Sequence, residues 1–161
     1  MPMMAYIGLG SNLGCPSSQI QQAVRELSQL PSSCLVNCSR RYRNPPRLRP
    51  GQTKQPDYVN AVAVLNTRLS PIHLLRHLQA IEFRQGRTRE EYWSPRTLDL
   101  DLLLYGTLRL QRRDLVVPHP RMHVRDFVLW PLRELAPMLV IPGRGRLSSI
   151  HLNSRKLQKI L

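Results

Sequence analysis

Apolar positions along this chain follow two rhythms, interrupted by polar stretches rich in proline or arginine. Residues 4–10 read as a strand and residues 11–16 as a polar turn. Residues 17–30 carry apolar side chains at Ile20, Ala23, Val24, Leu27 and Leu30, the spacing of one helix face, and Pro31 ends the run. Residues 34–42 alternate enough for a second strand centred on Leu35 and Val36, and residues 58–67, rich in Val and Ala, make a third. Ser70 then Pro71 is an N-cap followed by proline at the first helical position, and Gly86 closes that helix near residue 85. Residues 97–105 form the clearest strand, with 108–117 as its hairpin partner. Residues 118–137 read as irregular and short-helical, and 148–161 as a C-terminal helix.

Two polar segments stand apart. Residues 44–57 hold four prolines, Gly51 and several bases, a length of structureless chain that is often functional inside a compact domain. Residues 87–96 make a second polar loop. The order strand, helix, strand, strand, helix, strand predicts an α+β, ferredoxin-like domain, a single one spanning residues 1–161. There are no internal repeats or low-complexity tracts.

Composition narrows the function classes. No apolar run approaches the roughly 20 residues of a membrane span, and the first ten residues lack the basic and apolar regions of a signal peptide. The expectation is a cytoplasmic protein with no membrane partner. Cys15, Cys34 and Cys38 match no common zinc spacing and read as small, partly buried side chains. Lys plus Arg number 24 against 10 acids, a net charge of +14, and only Lys54, Lys156 and Lys159 are lysines. Arginine presents a planar fork of donors that matches phosphate oxygens. The balance points to nucleic acid, an anionic surface or a polyphosphate, without choosing among them.

The chemistry concentrates in Thr97-Leu98-Asp99-Leu100-Asp101-Leu102. In a strand Asp99 and Asp101 share a face, with Cα atoms about 6.6 Å apart, while the leucines turn to the core. Two carboxylates so close repel unless cations lie between them, and oxygen ligands completed by substrate phosphates are the usual way magnesium is held. The competing reading is a solvated face paired with arginines. Arg87, Arg89 and Arg96 lie upstream, Arg121 and Arg125 downstream. A metal-bound polyphosphate reconciles acids and arginines in one place. A P-loop is absent, and Gly8-Leu9-Gly10 lacks the third glycine of a dinucleotide fingerprint. His73 and His77 stand i, i+4 on a helix without the Glu of a metalloprotease. His119, between Pro118 and Pro120, sits in a stiff turn, where it could contact a phosphate or simply pack.

Four blocks, in order, carry a family resemblance: residues 5–13 (AYIGLGSNL), residues 55–61 (QPDYVNA), Gly86-Arg87 with residues 93–101 (WSPRTLDLD), and residues 117–123 (VPHPRMH) with Arg125 and Phe127. On these the chain resembles the 6-hydroxymethyl-7,8-dihydropterin pyrophosphokinases of folate biosynthesis. The resemblance implies an α-β-α sandwich on a ferredoxin-like core, with a mainly antiparallel central sheet. It also implies ATP, two magnesium ions and a pterin alcohol, whose hydroxyl attacks the β-phosphorus while AMP leaves. By position Asp99 and Asp101 correspond to the magnesium ligands, and Arg87, Arg96 and Arg125 to phosphate clamps. His119 and Gln79 correspond to nucleotide contacts, Tyr58 and Phe127 to walls around the pterin ring, and Asn60 to a bond to its edge. Asn44 and Trp93 lie in the two loops, which the resemblance makes mobile lids, and belong with the substrate-binding set.

The chain departs from the family pattern at Asn44, Arg47, Glu90, Glu91, Ser94, Asp114 and Val116, which touches loop detail and nucleotide affinity rather than the reaction. An RNA-binding module would need aromatics on the strand that here carries acids, and the chain has only two Phe. A magnesium-dependent nuclease built on the two aspartates is the third reading. The expectation is action on small molecules, not on nucleic acid, by a monomer, since no extra apolar helix face is evident.

Overall fold

The computed structural model describes residues 1–46, 48, 50–86, 98–152 and 158–160. In chain order its elements are β1 (Met3–Ser11), α1 (Pro16–Ser28), β2 (Ser33–Cys38), β3 (Arg41–Asn44), β4 (Tyr58–Thr67), α2 (Pro71–Arg84), β5 (Asp99–Tyr105), β6 (Leu110–Gln111), β7 (Val116–Val117), α3 (Asp126–Leu135), β8 (Val140–Ile141), β9 (Gly145–Arg146) and β10 (Gln158–Ile160). Six strands form one antiparallel sheet, ordered β10-β3-β4-β1-β5, with β2 also pairing with β4.

The alternation of side chains splits this sheet into two working faces. Ala5, Ile7 and Leu9 of β1, Val59, Ala61, Ala63 and Leu65 of β4, and Leu100 and Leu102 of β5 join one core with Ile20, Ala23 and Leu27 of α1 and Leu74, Leu78 and Ile81 of α2. On the other face, Val62 and Leu103 join a second core with Met122 and with Val128, Leu129 and Leu132 of α3. The result is the expected α-β-α sandwich. Ser70 caps α2 by accepting the His73 N–H, with Pro71 in the first turn, as its sequence predicts.

Several elements differ from the sequence reading. The strand expected over 34–42 is two. Its break falls at Ser39, whose Oγ accepts the Val62 N–H while its own N–H donates to the Val62 carbonyl, so the chain is re-aimed between β2 and β3. Residues 108–117 do not extend β5. They make the small β6–β7 ribbon, because contacts on the outer edge of β5 are taken elsewhere: the Leu100 N–H donates to Glu82 and the Leu103 carbonyl accepts from the His119 N–H. Residues 126–135 form a full helix, α3, despite Pro131 inside it, because Val128, Leu129 and Leu132 cover the second face. Among the described residues of the expected C-terminal helix, a short 3-10 turn stands at Leu147–Ser149 and Gln158–Ile160 form β10, which pairs with the edge of β3. Pairing with an open edge overrides the weak local helical pattern there.

Candidate functional site

α3 packs on one part of the second face, at Val62 and Leu103. Beyond the apolar patch of Val62 and Leu103, the same face carries Gly8 and Gly10 of β1, Tyr58 and Asn60 of β4, and Asp99 and Asp101 of β5. Register fixes their rows: Asn60 lies opposite Gly10, which lies opposite Asp99, and Val62, Gly8 and Asp101 make the next row. The two glycines form a floor without side chains between the carboxylates and the amide. A Cβ on Gly10 would come within 2.8 Å of Asn60 Nδ2. Gly10 has ordinary strand backbone, so this is a requirement for space, of the kind found where a ligand approaches a sheet.

Leu98, Leu100 and Leu102 are buried on the opposite face, as expected, and both aspartates are half-buried. Arg125, the residue before α3, places Nη1 3.9 Å from Asp101 Oδ2 and its guanidinium 5.6 Å from the centre of the Phe127 ring. The arginine pairing foreseen as the alternative to metal ligation is thus realised at long range for Asp101. Asp101 keeps 43% of its side-chain surface exposed.

Asn60 is only 6% exposed, and its Oδ1 has no hydrogen-bond partner, while Nδ2 reaches the Leu9 carbonyl at 3.4 Å. Asn44 Oδ1, opposite Tyr58 in the β3–β4 register, is likewise unpartnered. Buried acceptors without protein partners are uncommon and are completed by water, an ion or a ligand. Asn12, buried at the end of β1, donates to Gln55 Oε1 at 3.4 Å and to the Pro56 carbonyl at 3.3 Å. That ties down the end of the 44–57 loop immediately before Tyr58.

His119 follows the cis Val117–Pro118 bond. Its Nδ1 accepts the Arg121 N–H at 3.2 Å, which leaves Nε2 to carry the proton. Burial, reinforced by Arg125 and then Arg121, pushes its pKa down from 6.5 to about 4. It is therefore a neutral donor at pH 7.

The structure thus gathers Asp99, Asp101, Asn60, Tyr58, Arg125 and Phe127 around one face. Gln79 is exposed on α2, the helix that packs on the other face of the sheet. Arg87, Trp93 and Arg96, with Arg47, Arg89, Glu90, Glu91 and Ser94, lie outside the described residues. Sequence reasoning missed Glu82, a carboxylate only 3% exposed whose Oε2 accepts the Leu100 N–H at 2.9 Å. Its signal was available: it falls on the apolar stripe of α2 with Leu74, Leu78 and Ile81.

One face of a ferredoxin-like sandwich thus brings together two carboxylates, a guanidinium and an amide whose oxygen has no hydrogen-bond partner. The family model for 7,8-dihydro-6-hydroxymethylpterin-pyrophosphokinase (HPPK) matches residues 6–137. A 2-amino-4-hydroxy-6-hydroxymethyldihydropteridine pyrophosphokinase of Haemophilus influenzae is 51% identical over 139 residues, covering 86% of this chain and 85% of its own. One from Pseudomonas aeruginosa is 49% identical over 150 residues, covering 93% and 91%. Among solved structures, an HPPK-DHPS crystallised with substrates superposes with a TM-score of 0.76 at 12% identity, covering 98% of this chain and 46% of that one, so the chain spans about half of it. The chain belongs to the 7,8-dihydro-6-hydroxymethylpterin-pyrophosphokinase family.

Proposed function

We propose that the open face of the sheet is where this enzyme transfers pyrophosphate from ATP to 6-hydroxymethyl-7,8-dihydropterin, in folate biosynthesis, with Asp99 and Asp101 holding two magnesium ions. The observation that carries the reading is the row Asn60–Gly10–Asp99, beside Gly8–Asp101: an amide with an unpartnered oxygen and two carboxylates on either side of two glycines. Two part-exposed carboxylates suit magnesium, which keeps waters and takes substrate phosphates rather than needing a closed protein cage. Magnesium, when bound there, polarises the phosphoryl oxygens and offsets charge that develops on them.

The chain's own groups divide the remaining work. Tyr58 and Phe127 flank the flat ring, and the Asn60 and Asn44 amides offer donor and acceptor to its polar edge. Arg125 stands close enough to the acids to clamp phosphate oxygens, and neutral His119 donates without adding a charge. Arg87 and Arg96 complete the clamp in this reading, with Gln79 at the nucleotide side and Trp93 in the second lid. No general base is required: holding the hydroxyl in line and stabilising charge is enough for such transfers. We read the chain as a single domain acting as a cytoplasmic monomer on small molecules alone; among the described residues no helix is long and apolar enough to cross a membrane.

The test is AMP release from ATP and magnesium with and without the pterin alcohol, in wild type, Asp99→Asn and Asp101→Asn. Release should depend on the pterin, and each variant should lose about a hundredfold or more in turnover while remaining folded. Near-native turnover in both variants would remove the aspartates from the site.

A further inference from the structure

β5 is the outermost strand on its side of the sheet, and Asp99 is its first residue. On its inner edge the acidic end is held by pairing with Gly8, Leu9 and Gly10. On its outer edge no strand pairs with it among the described residues. The end of an edge strand frays readily unless its outward N–H groups are tied down. Here the tie comes from a side chain: Glu82 Oε2 accepts the N–H of Leu100, the residue between the two aspartates, at 2.9 Å. Glu82 is only 3% exposed and sits in the last turns of α2, a helix fixed by its Ser70 cap and by Leu74, Leu78 and Ile81.

We infer that Glu82 is a positioning residue for the aspartate pair, standing in for a missing neighbouring strand. Its carboxylate fixes the backbone between Asp99 and Asp101, and so the direction of both side chains. A carboxylate on an apolar helix stripe is costly to bury, and a leucine there would extend the core. Its bond to the Leu100 N–H supplies the partner that such burial requires. That favours a role in placing β5 rather than in filling volume. The inference rests on the assignment of Asp99 and Asp101 as metal ligands.

Four variants separate the possibilities. Glu82→Met keeps the length and removes the acceptor. Glu82→Asp keeps the charge but withdraws it by one methylene, and covers the case in which the methionine form does not fold. Glu82→Gln keeps an acceptor at the same reach. Asp99→Asn tests the metal assignment itself. Two quantities are read: amide hydrogen exchange at Leu100 in the free protein, and manganese affinity in the presence of an unreactive ATP analogue. Glu82→Met and Glu82→Asp should speed Leu100 exchange and weaken the metal by about 10- to 100-fold, the usual scale for residues that orient ligands, and Glu82→Gln should restore most of both. Native metal affinity in folded Glu82→Met or Glu82→Asp overturns the role. So does a Glu82→Gln protein as impaired as Glu82→Met, since charge rather than the hydrogen bond would then be at work. If Asp99→Asn leaves metal affinity untouched, the metal assignment fails and the role falls with it, whereas altered Leu100 exchange in the Glu82 variants would still report the bond.

Discussion

Adding one methyl group at Gly10 tests the geometry of the open face without touching a charged residue. The Cβ of Gly10→Ala would lie 2.8 Å from Asn60 Nδ2, about 0.6 Å inside ordinary van der Waals contact. The backbone at Gly10 belongs to a regular strand and imposes no strain on alanine. The clash must therefore be relieved by the Asn60 amide, whose Nδ2 is held by a long bond, 3.4 Å, to the Leu9 carbonyl. Stability should change by no more than about 1 kcal/mol, because the smaller entropy of the unfolded chain offsets the repacking. Recognition should suffer more. An amide displaced by half an ångström or more loses good geometry to the pterin edge, a loss of about 1–3 kcal/mol and so roughly 5- to 150-fold in affinity.

Calorimetric titration of the pterin, with an unreactive ATP analogue present, measures this directly, and a double-mutant cycle isolates its cause. In an Asn60→Ala background there is no amide to displace, so Gly10→Ala should then cost less than about 0.5 kcal/mol. A pterin dissociation constant in Gly10→Ala within about twofold of wild type would refute the reasoning. So would an equal loss in the Asn60→Ala background, which would place the effect in the strand rather than in the amide.

Further outcomes follow from the same face. Tyr58→Ala and Phe127→Ala should each weaken the pterin by about 1 kcal/mol or more beyond the area lost, read by the same titration; unchanged constants in both would reject the ring walls. His119 has a folded pKa of about 4, below its ordinary 6.5, so its contribution to stability is present above pH 6.5 and is lost as pH falls towards 4. Denaturant midpoints across that window should fall less steeply in His119→Gln than in wild type. Tyr42 shows the opposite sign. Burial and the hydrogen bond to Glu134 raise its pKa to about 12, so the corresponding stability is present below pH 10 and fades as pH rises through 12, a loss Tyr42→Phe should abolish.

What the chain made legible, it made legible through strong local chemistry. The 58–67 strand and the start of α2 stand where expected because a long Val/Ala run and a Ser-Pro cap leave little competition. The Asp99–Asp101 face was readable because a strand's period is 2 and the intervening leucines mark the core side. The errors all lie where tertiary contacts decide. The 148–161 segment has some helical character, but the open edge of β3 recruits its end as β10. The 108–117 segment has strand residues, but Glu82 and His119 occupy groups on the edge of β5 it would have used. Helix α3 hides behind Pro131 in the sequence and is stabilised by the core it covers. In the site, Asn60 could be placed by position, but the closeness of Gly10 to its amide appears only when register sets the two opposite each other.

The placement of the site follows from how the second face is shared out. Each chemical group reaches it from a different element: the carboxylates from β5, the amide and one aromatic from β4, the glycine floor from β1, the guanidinium and second aromatic from the start of α3. Of these strands β1 and β4 are interior; β5 is held from outside by α2, and α3 is held by its apolar stripe against Val62 and Leu103. Glu134, near the end of α3, adds a polar anchor at the far side, accepting the Arg40 N–H at 2.7 Å and the Tyr42 hydroxyl at 3.0 Å. A shift of α3 along the sheet would therefore move Arg125 and Phe127 together relative to the aspartates, while a loosened β5 would move the aspartates relative to both. The glycines of β1 and the Asn60 and Tyr58 of β4, on interior strands, are displaced by neither movement.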